Sequence, residues 1–140
     1  MSEKITEHFR RYEFNSGDGI TYPARWVESR LVPLCSSLEA LRSELVKRHN
    51  LARMKITSGY RSEAHNKVVG GVKYSQHVAG RAADIVCYNA KGNRINAHKV
   101  AALIRELISA GKMLEGGVGE YSSFTHYDIR GKRARWSGKS

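Results

Sequence analysis

Two stretches of this chain carry apolar residues at helical spacing, and everything around them is broken into short apolar runs, a division that few folds accommodate. From Leu38 to about His49, Leu38, Leu41, Leu45 and Val46 fall on one face, and Ser36 with Glu39 reads as a capping box. From Ala97 to Ala110 the stripe is Val100, Leu103, Ile104, Leu107 and Ile108, with Asn96 placed to cap the helix and Gly111 to end it. Met54 to Thr57, Ala82 to Tyr88, Val118 to Tyr121 and Phe124 to Arg130 are expected strands, the last two paired across Ser122-Ser123. Residues 60–79 read as loop with a helical turn near Glu63 to Val68, and residues 1–34 as a short helix and an irregular wrap. The expected fold is α+β, a small antiparallel sheet flanked by helices. With 140 residues, no repeat and no linker-like stretch, one domain over 1–140 is expected.

Composition narrows the function classes. Apolar residues make up 41% and charged residues 26%, ordinary for a globular chain. Lys plus Arg is 24 against 13 for Asp plus Glu, a formal charge of +11, so the surface attracts polyanions: nucleic acid, anionic headgroups or the anionic polymers of a bacterial wall. Helix-turn-helix, RRM and zinc-finger signatures are missing, which argues against a nucleic-acid partner. No stretch approaches the ~20 apolar residues of a membrane span, and MSEKITEHFRRYEF has no apolar signal-peptide core. Cys35 and Cys87 sit beside Leu34 and Val86 and read as buried small hydrophobes, with their pairing left open.

Three polar groups stand out: His77 and Asp84 in Ser75-Gln76-His77-Val78-Ala79-Gly80-Arg81-Ala82-Ala83-Asp84, and His126 in Phe124-Thr125-His126-Tyr127-Asp128. A helix would separate His77 and Asp84 by about 10.5 Å, and an extended chain by more than about 20 Å. To share one zinc, with bonds of roughly 2.0–2.2 Å, the chain must turn back between them, and Gly80 among small residues allows that. On a strand Phe124, His126 and Asp128 face one way and Thr125, Tyr127 and Ile129 the other, so Asp128 could orient a ligand or handle a water proton. Two His and one carboxylate leave a fourth zinc position for water. Spacing alone does not decide the matter, since single His and Asp residues near turns are commonly surface groups or caps.

A wider pattern adds to this. Ser58-Gly59-Tyr60-Arg61-Ser62, Asn66, Gly70-Gly71, the Ser75-x-His77-x-x-Gly80-x-Ala82-x-Asp84 run and the closing Phe-x-His-x-Asp resemble the M15 peptidases, the zinc D-alanyl-D-alanine carboxypeptidases and phage endolysins. Gly117-Val118-Gly119-x-Tyr121 and Arg130-Gly131-Lys132-Arg133-Ala134-Arg135-Trp136 look like the phage branch. The resemblance implies Zn2+ on His77, Asp84 and His126, and a domain similar to that of hedgehog signalling proteins. It also implies an Arg61 that stabilises the oxyanion and a Ser75 that contacts substrate. The implied substrate is a peptidoglycan peptide containing D-amino acids, reached at the cell wall by a route other than an ordinary signal peptide, with anionic wall polymers as a further partner. The implied activity is zinc-dependent hydrolysis, carboxypeptidase or endopeptidase; the oligomeric state is not legible.

One departure stands out. Family members place Glu or Asp three residues before the last ligand as general base, and here that residue is Ser123. Asp128, by its facing, and Glu120, six residues before His126, are the substitutes expected to take the proton. The departure also keeps open a zinc-containing wall-binding module with impaired catalysis.

Overall fold

The structure, a computed structural model, describes residues 3–138. Its elements in chain order are a two-stranded hairpin, β1 (Lys4–Thr6) and β2 (Phe9–Arg10), then α1 (Val32–His49), β3 (Leu51–Ser58), α2 (Glu63–Val68) and β4 (Ala82–Asn89). α3 (Ala97–Ser109), β5 (Gly117–Glu120), β6 (Thr125–Asp128) and β7 (Ala134–Ser137) follow. The architecture is α+β, with β3-β4-β6-β5-β7 as a five-stranded sheet. All neighbours are antiparallel except β5 and β7, which run parallel, so the sheet is mixed where a purely antiparallel one was expected.

α1 starts earlier than the capping box suggested. Its apolar ridge runs Leu31, Leu34, Leu38, Leu41, Leu45, alternating steps of three and four that keep one face inward, and all five are fully buried. Pro33 sits in the first turn, where its missing N–H costs nothing. Ser36 therefore lies inside the helix, and the Glu39 carboxylate instead accepts from Thr6 Oγ1 (2.8 Å) and His8 N (2.7 Å) of the hairpin. Val46 points outward, one step round from Leu45. α3 matches its reading: the Asn96 side chain accepts from the backbone of His98 and Lys99, and Gly111, at φ +74, follows its end.

Both helices pack on one face of the sheet, against Ile85, Cys87, Val118 and Tyr127. β4 lies between two strands and is buried from Ala82 to Cys87, as its unbroken apolar run requires. Both cysteines are buried free thiols. The expected short helix in residues 1–34 is replaced by the hairpin, two 3-10 turns (Arg11–Phe14 and Ala24–Trp26) and a five-residue π turn (Val27–Leu31) leading into α1. Phe9, Phe14 and Tyr22 anchor this wrap in the core. No helix among the described residues is long and apolar enough to cross a membrane.

Candidate metal centre and cleft

The helix-free face of the sheet carries the polar groups. Asp84 on β4 pairs in register with His126 on β6, so their side chains emerge together. His77 is brought to them by a turn: Gly80 takes φ +71 and its N–H donates to His77 O (3.1 Å). A Cβ at Gly80 would lie 2.8 Å from both the Tyr22 hydroxyl and the Trp26 ring, so the turn closes only with glycine there. The Tyr22 hydroxyl donates to Gly80 O (2.6 Å), locking the turn from below.

The result is a tight cluster. One ligand-type atom from each of His77, Asp84 and His126 lies within 4.8 Å of the others. Asp84 Oδ1 is 2.9 Å from His126 Nδ1 and 3.3 Å from His77 Nε2. Zinc bonds of roughly 2.0–2.1 Å in tetrahedral array put ligand atoms roughly 3.3 Å apart, so little movement is needed to seat an ion. The outer nitrogens are engaged in the way metal-binding imidazoles require. His77 Nδ1 donates to Gly59 O (2.8 Å), and His126 Nε2 donates to Asp128 Oδ2 (2.7 Å). The donor set fits a cation with an open position.

Electrostatics agree. Burial alone would raise the Asp84 carboxyl, but hydrogen bonds from His126 and His77 outweigh it and hold it well below the ordinary carboxylate range. Burial would lower the His126 pKa, yet hydrogen bonds and charge from Asp128 and Asp84 outweigh it and raise it above the ordinary imidazole value.

Asp128 does not reach the open side of the cluster. It is fully buried behind His126, and both oxygens are taken. Oδ1 accepts from Gly117 N (2.9 Å) and from Arg130 N and Nε, while Oδ2 accepts from His126 and Arg130 Nη2 (2.8 Å). A Cβ at Gly117 would press on Asp128 Oδ2, so glycine is what lets this strand approach. Burial is again outweighed, here by His126 and Arg130, and the carboxyl stays ionised well below its usual range. Such a group can fix a ligand; it is badly placed to collect a proton from the cleft. Glu120 faces away. It pairs in register with Thr125, on the helix side of β6, and is held by His98 Nδ1 (2.8 Å) and Arg105 Nη1 (3.0 Å) of α3. Neither expected proton acceptor lines the cleft, and the reason is facing: the sequence put Asp128 on the correct face but could not show it sealed behind the imidazole.

The cluster forms part of a cleft of about 450 Å³. Arg61 lines it, with Nη1 donating to Asn66 Oδ1 (2.9 Å) and Nη2 to Ser58 Oγ (3.3 Å). It makes no ion pair with a carboxylate among the described residues, a half-buried cation whose burial lowers its pKa while Asp84 nearby raises it. Ser75 also lines the cleft, but its Oγ accepts from His77 N (3.1 Å), tying it to the turn. Asp84 is the one carboxylate among the lining residues.

One wall of the cleft is aromatic, and of its residues only Phe124 was set beside His126 by strand alternation. Tyr121 and Phe124 stack at 4.3 Å, the Trp136 indole N–H donates to Tyr121 Oη (2.8 Å), and the Trp136 ring lies 5.0 Å from His126. Trp136 arrives on β7, a strand too short to show periodicity; the only hint was its place in the basic tail. Tyr74 and Val72 line the other side and are largely exposed.

A family model described as Peptidase M15 matches residues 7–128. No curated protein matches the chain.

Proposed function

The chain belongs to the peptidase M15 family, and from that premise we propose that it is a zinc peptidase that hydrolyses D-amino-acid-containing peptide bonds of bacterial peptidoglycan, as a carboxypeptidase or endopeptidase of phage type. The observation that carries the reading is the convergence of His77, Asp84 and His126 in an open cleft.

His77 through Nε2, His126 through Nδ1 and the Asp84 carboxylate would hold the ion. When bound, zinc polarises a carbonyl and makes water nucleophilic near neutral pH. Gly59 O and Asp128 keep the two imidazoles turned so that the correct nitrogens face inward. Arg61, held by Asn66 and Ser58 and in no ion pair with a carboxylate among the described residues, presents positive charge where the peptide oxygen becomes negative. Ser75 acts through the turn that sets His77, and its hydroxyl is at hand for substrate. The aromatic wall gives a peptide backbone a flat apolar surface and keeps water off one side of the cleft.

A second reading, a zinc-containing wall-binding module with impaired catalysis, is favoured by one observation: among the described residues, Asp84 is the only carboxylate lining the cleft. Digestion of purified walls, with and without chelator, separates the two. Chelator-sensitive release of free D-alanine or new amino termini is expected; wall retention without products would establish the binder.

A further inference from the structure

Asn66, on α2, is buried, and both ends of its amide are in use. Oδ1 accepts from Arg61 Nη1 (2.9 Å) and Nδ2 donates to Val72 O (2.9 Å). A guanidinium can only donate and a carbonyl can only accept, so these two partners fix which way the amide faces. Val72 and Tyr74 line the cleft and are largely exposed, so one side chain joins the cleft's cation to a segment of its rim. Gly71 makes room for this joint: a Cβ there would collide with Asn66 Oδ1 and lie 2.8 Å from Arg61 Nη1. Its φ is not positive, so glycine is needed there for space. Gly70 is the reverse case, with φ +72 and nothing within 4 Å of an added Cβ. The turn does not depend on the amide for its own closure, since Val69 N donates to His65 O, Gly70 N to Lys67 O and Gly71 N to Asn66 O.

Arg61 N donates to His77 O (3.0 Å), so the main chain of Arg61 is already fixed against a residue of the metal cluster. Where the guanidinium lies is left to Asn66 and to Ser58 Oγ, the longer contact at 3.3 Å. An amide suits this task because it orients the cation without neutralising it, as a carboxylate at the same place would. We propose that Asn66 is a positioning residue for the hydrolysis. It holds the Arg61 guanidinium in the cleft and ties that placement to the Val72 carbonyl, so that cation and rim keep one geometry. The proposal rests on the peptidase reading, in which Arg61 meets the developing oxyanion.

The full chain would be assayed on a soluble stem peptide, with zinc affinity and thermal melts measured in parallel. Asn66→Ala should lower kcat/KM by about 10–100-fold, chiefly through kcat, with zinc affinity within about threefold. Because Asn66 acts through Arg61, the Arg61→Ala, Asn66→Ala double variant should lose no more than about threefold beyond Arg61→Ala alone, whereas independent roles would multiply. Gly71→Ala leaves both side chains present but crowds them, and should cost about tenfold or more. Gly70→Ala strains the same turn without reaching the pair, and its rate should stay within about threefold. Should Asn66→Ala fold poorly, the two glycine variants carry the comparison. An undiminished rate in Asn66→Ala, multiplying losses in the double variant, or equal losses in Gly70→Ala and Gly71→Ala overturns the proposal. The NMR signals of the Arg61 guanidinium need no turnover: rotation about Nε–Cζ should be slow in the wild type and fast in Asn66→Ala and Gly71→Ala. Fast rotation in the wild type also overturns the proposal. Absence of peptide hydrolysis by a wild-type chain whose Arg61 rotates slowly counts against the peptidase reading alone.

Discussion

His126 and Asp128, two residues apart on β6, are joined by a 2.7 Å hydrogen bond from imidazole Nε2 to carboxylate Oδ2, and this leaves Nδ1 as the nitrogen that faces Asp84 and His77. The carboxylate is itself held by Arg130 and by the Gly117 N–H. A ring positioned this firmly presents one lone pair in one direction.

Asp128→Asn should therefore weaken zinc binding by about 10–100-fold, read by competition against a chromogenic chelator. Glu120→Gln, on the helix side of the sheet, should leave zinc affinity unchanged and the rate within about threefold. With zinc content held equal, a loss beyond about tenfold in Glu120→Gln would restore it as the proton acceptor.

Arg61→Ala should lower kcat/KM by about 10²–10³-fold with zinc stoichiometry intact, because the cleft loses its unpaired cation where charge develops. Arg61→Lys should recover only part of that, since one ammonium cannot hold Asn66 and Ser58 in the guanidinium geometry. Metal analysis beside steady-state kinetics checks both.

Gly80→Ala should destabilise the fold by about 1–3 kcal/mol. Its φ of +71 is strained for any residue with a Cβ, and the new methyl would meet Tyr22 and Trp26. Thermal melts give the stability loss; a companion drop in zinc affinity is expected because the same turn delivers His77.

Asp18 ties the 16–19 loop to the start of α2, accepting from the Ser62 hydroxyl at 2.6 Å. Hydrogen bonds from Ser62 and Ser16 lower its pKa from 3.8 to about 2. A depressed folded-state value means that the stabilisation is present above the unfolded pKa and is lost as pH falls from about 4 through 2. Asp18→Asn should flatten the acid limb of the stability profile in that window, and an unchanged profile would show the contact to be inert.

Much of the molecule is legible in the sequence, for definite reasons. α3 follows from a strong stripe with an asparagine cap and a terminal glycine, and β4 from an unbroken apolar run. The meeting of His77, Asp84 and His126 follows from residue types plus a hinge glycine that the spacing demanded. The first thirty residues do not follow, because two-residue strands and 3-10 or π turns have no periodicity to read. The start of α1 was masked by Ser36 and Glu39, whose local pattern mimics a cap while Glu39 takes its partners from the distant hairpin. The role of Asp128 depends on which nitrogen of His126 faces inward, and strand alternation carries no such information.

The most direct measurement is an anomalous-scattering map at the zinc edge from crystals of the full chain, with His126→Ala measured beside it. One peak touching His77, Asp84 and His126, absent in the variant, is the expected result. A wild-type chain whose zinc lies elsewhere, or which is fully active with no metal at these three residues, would contradict the account at its root.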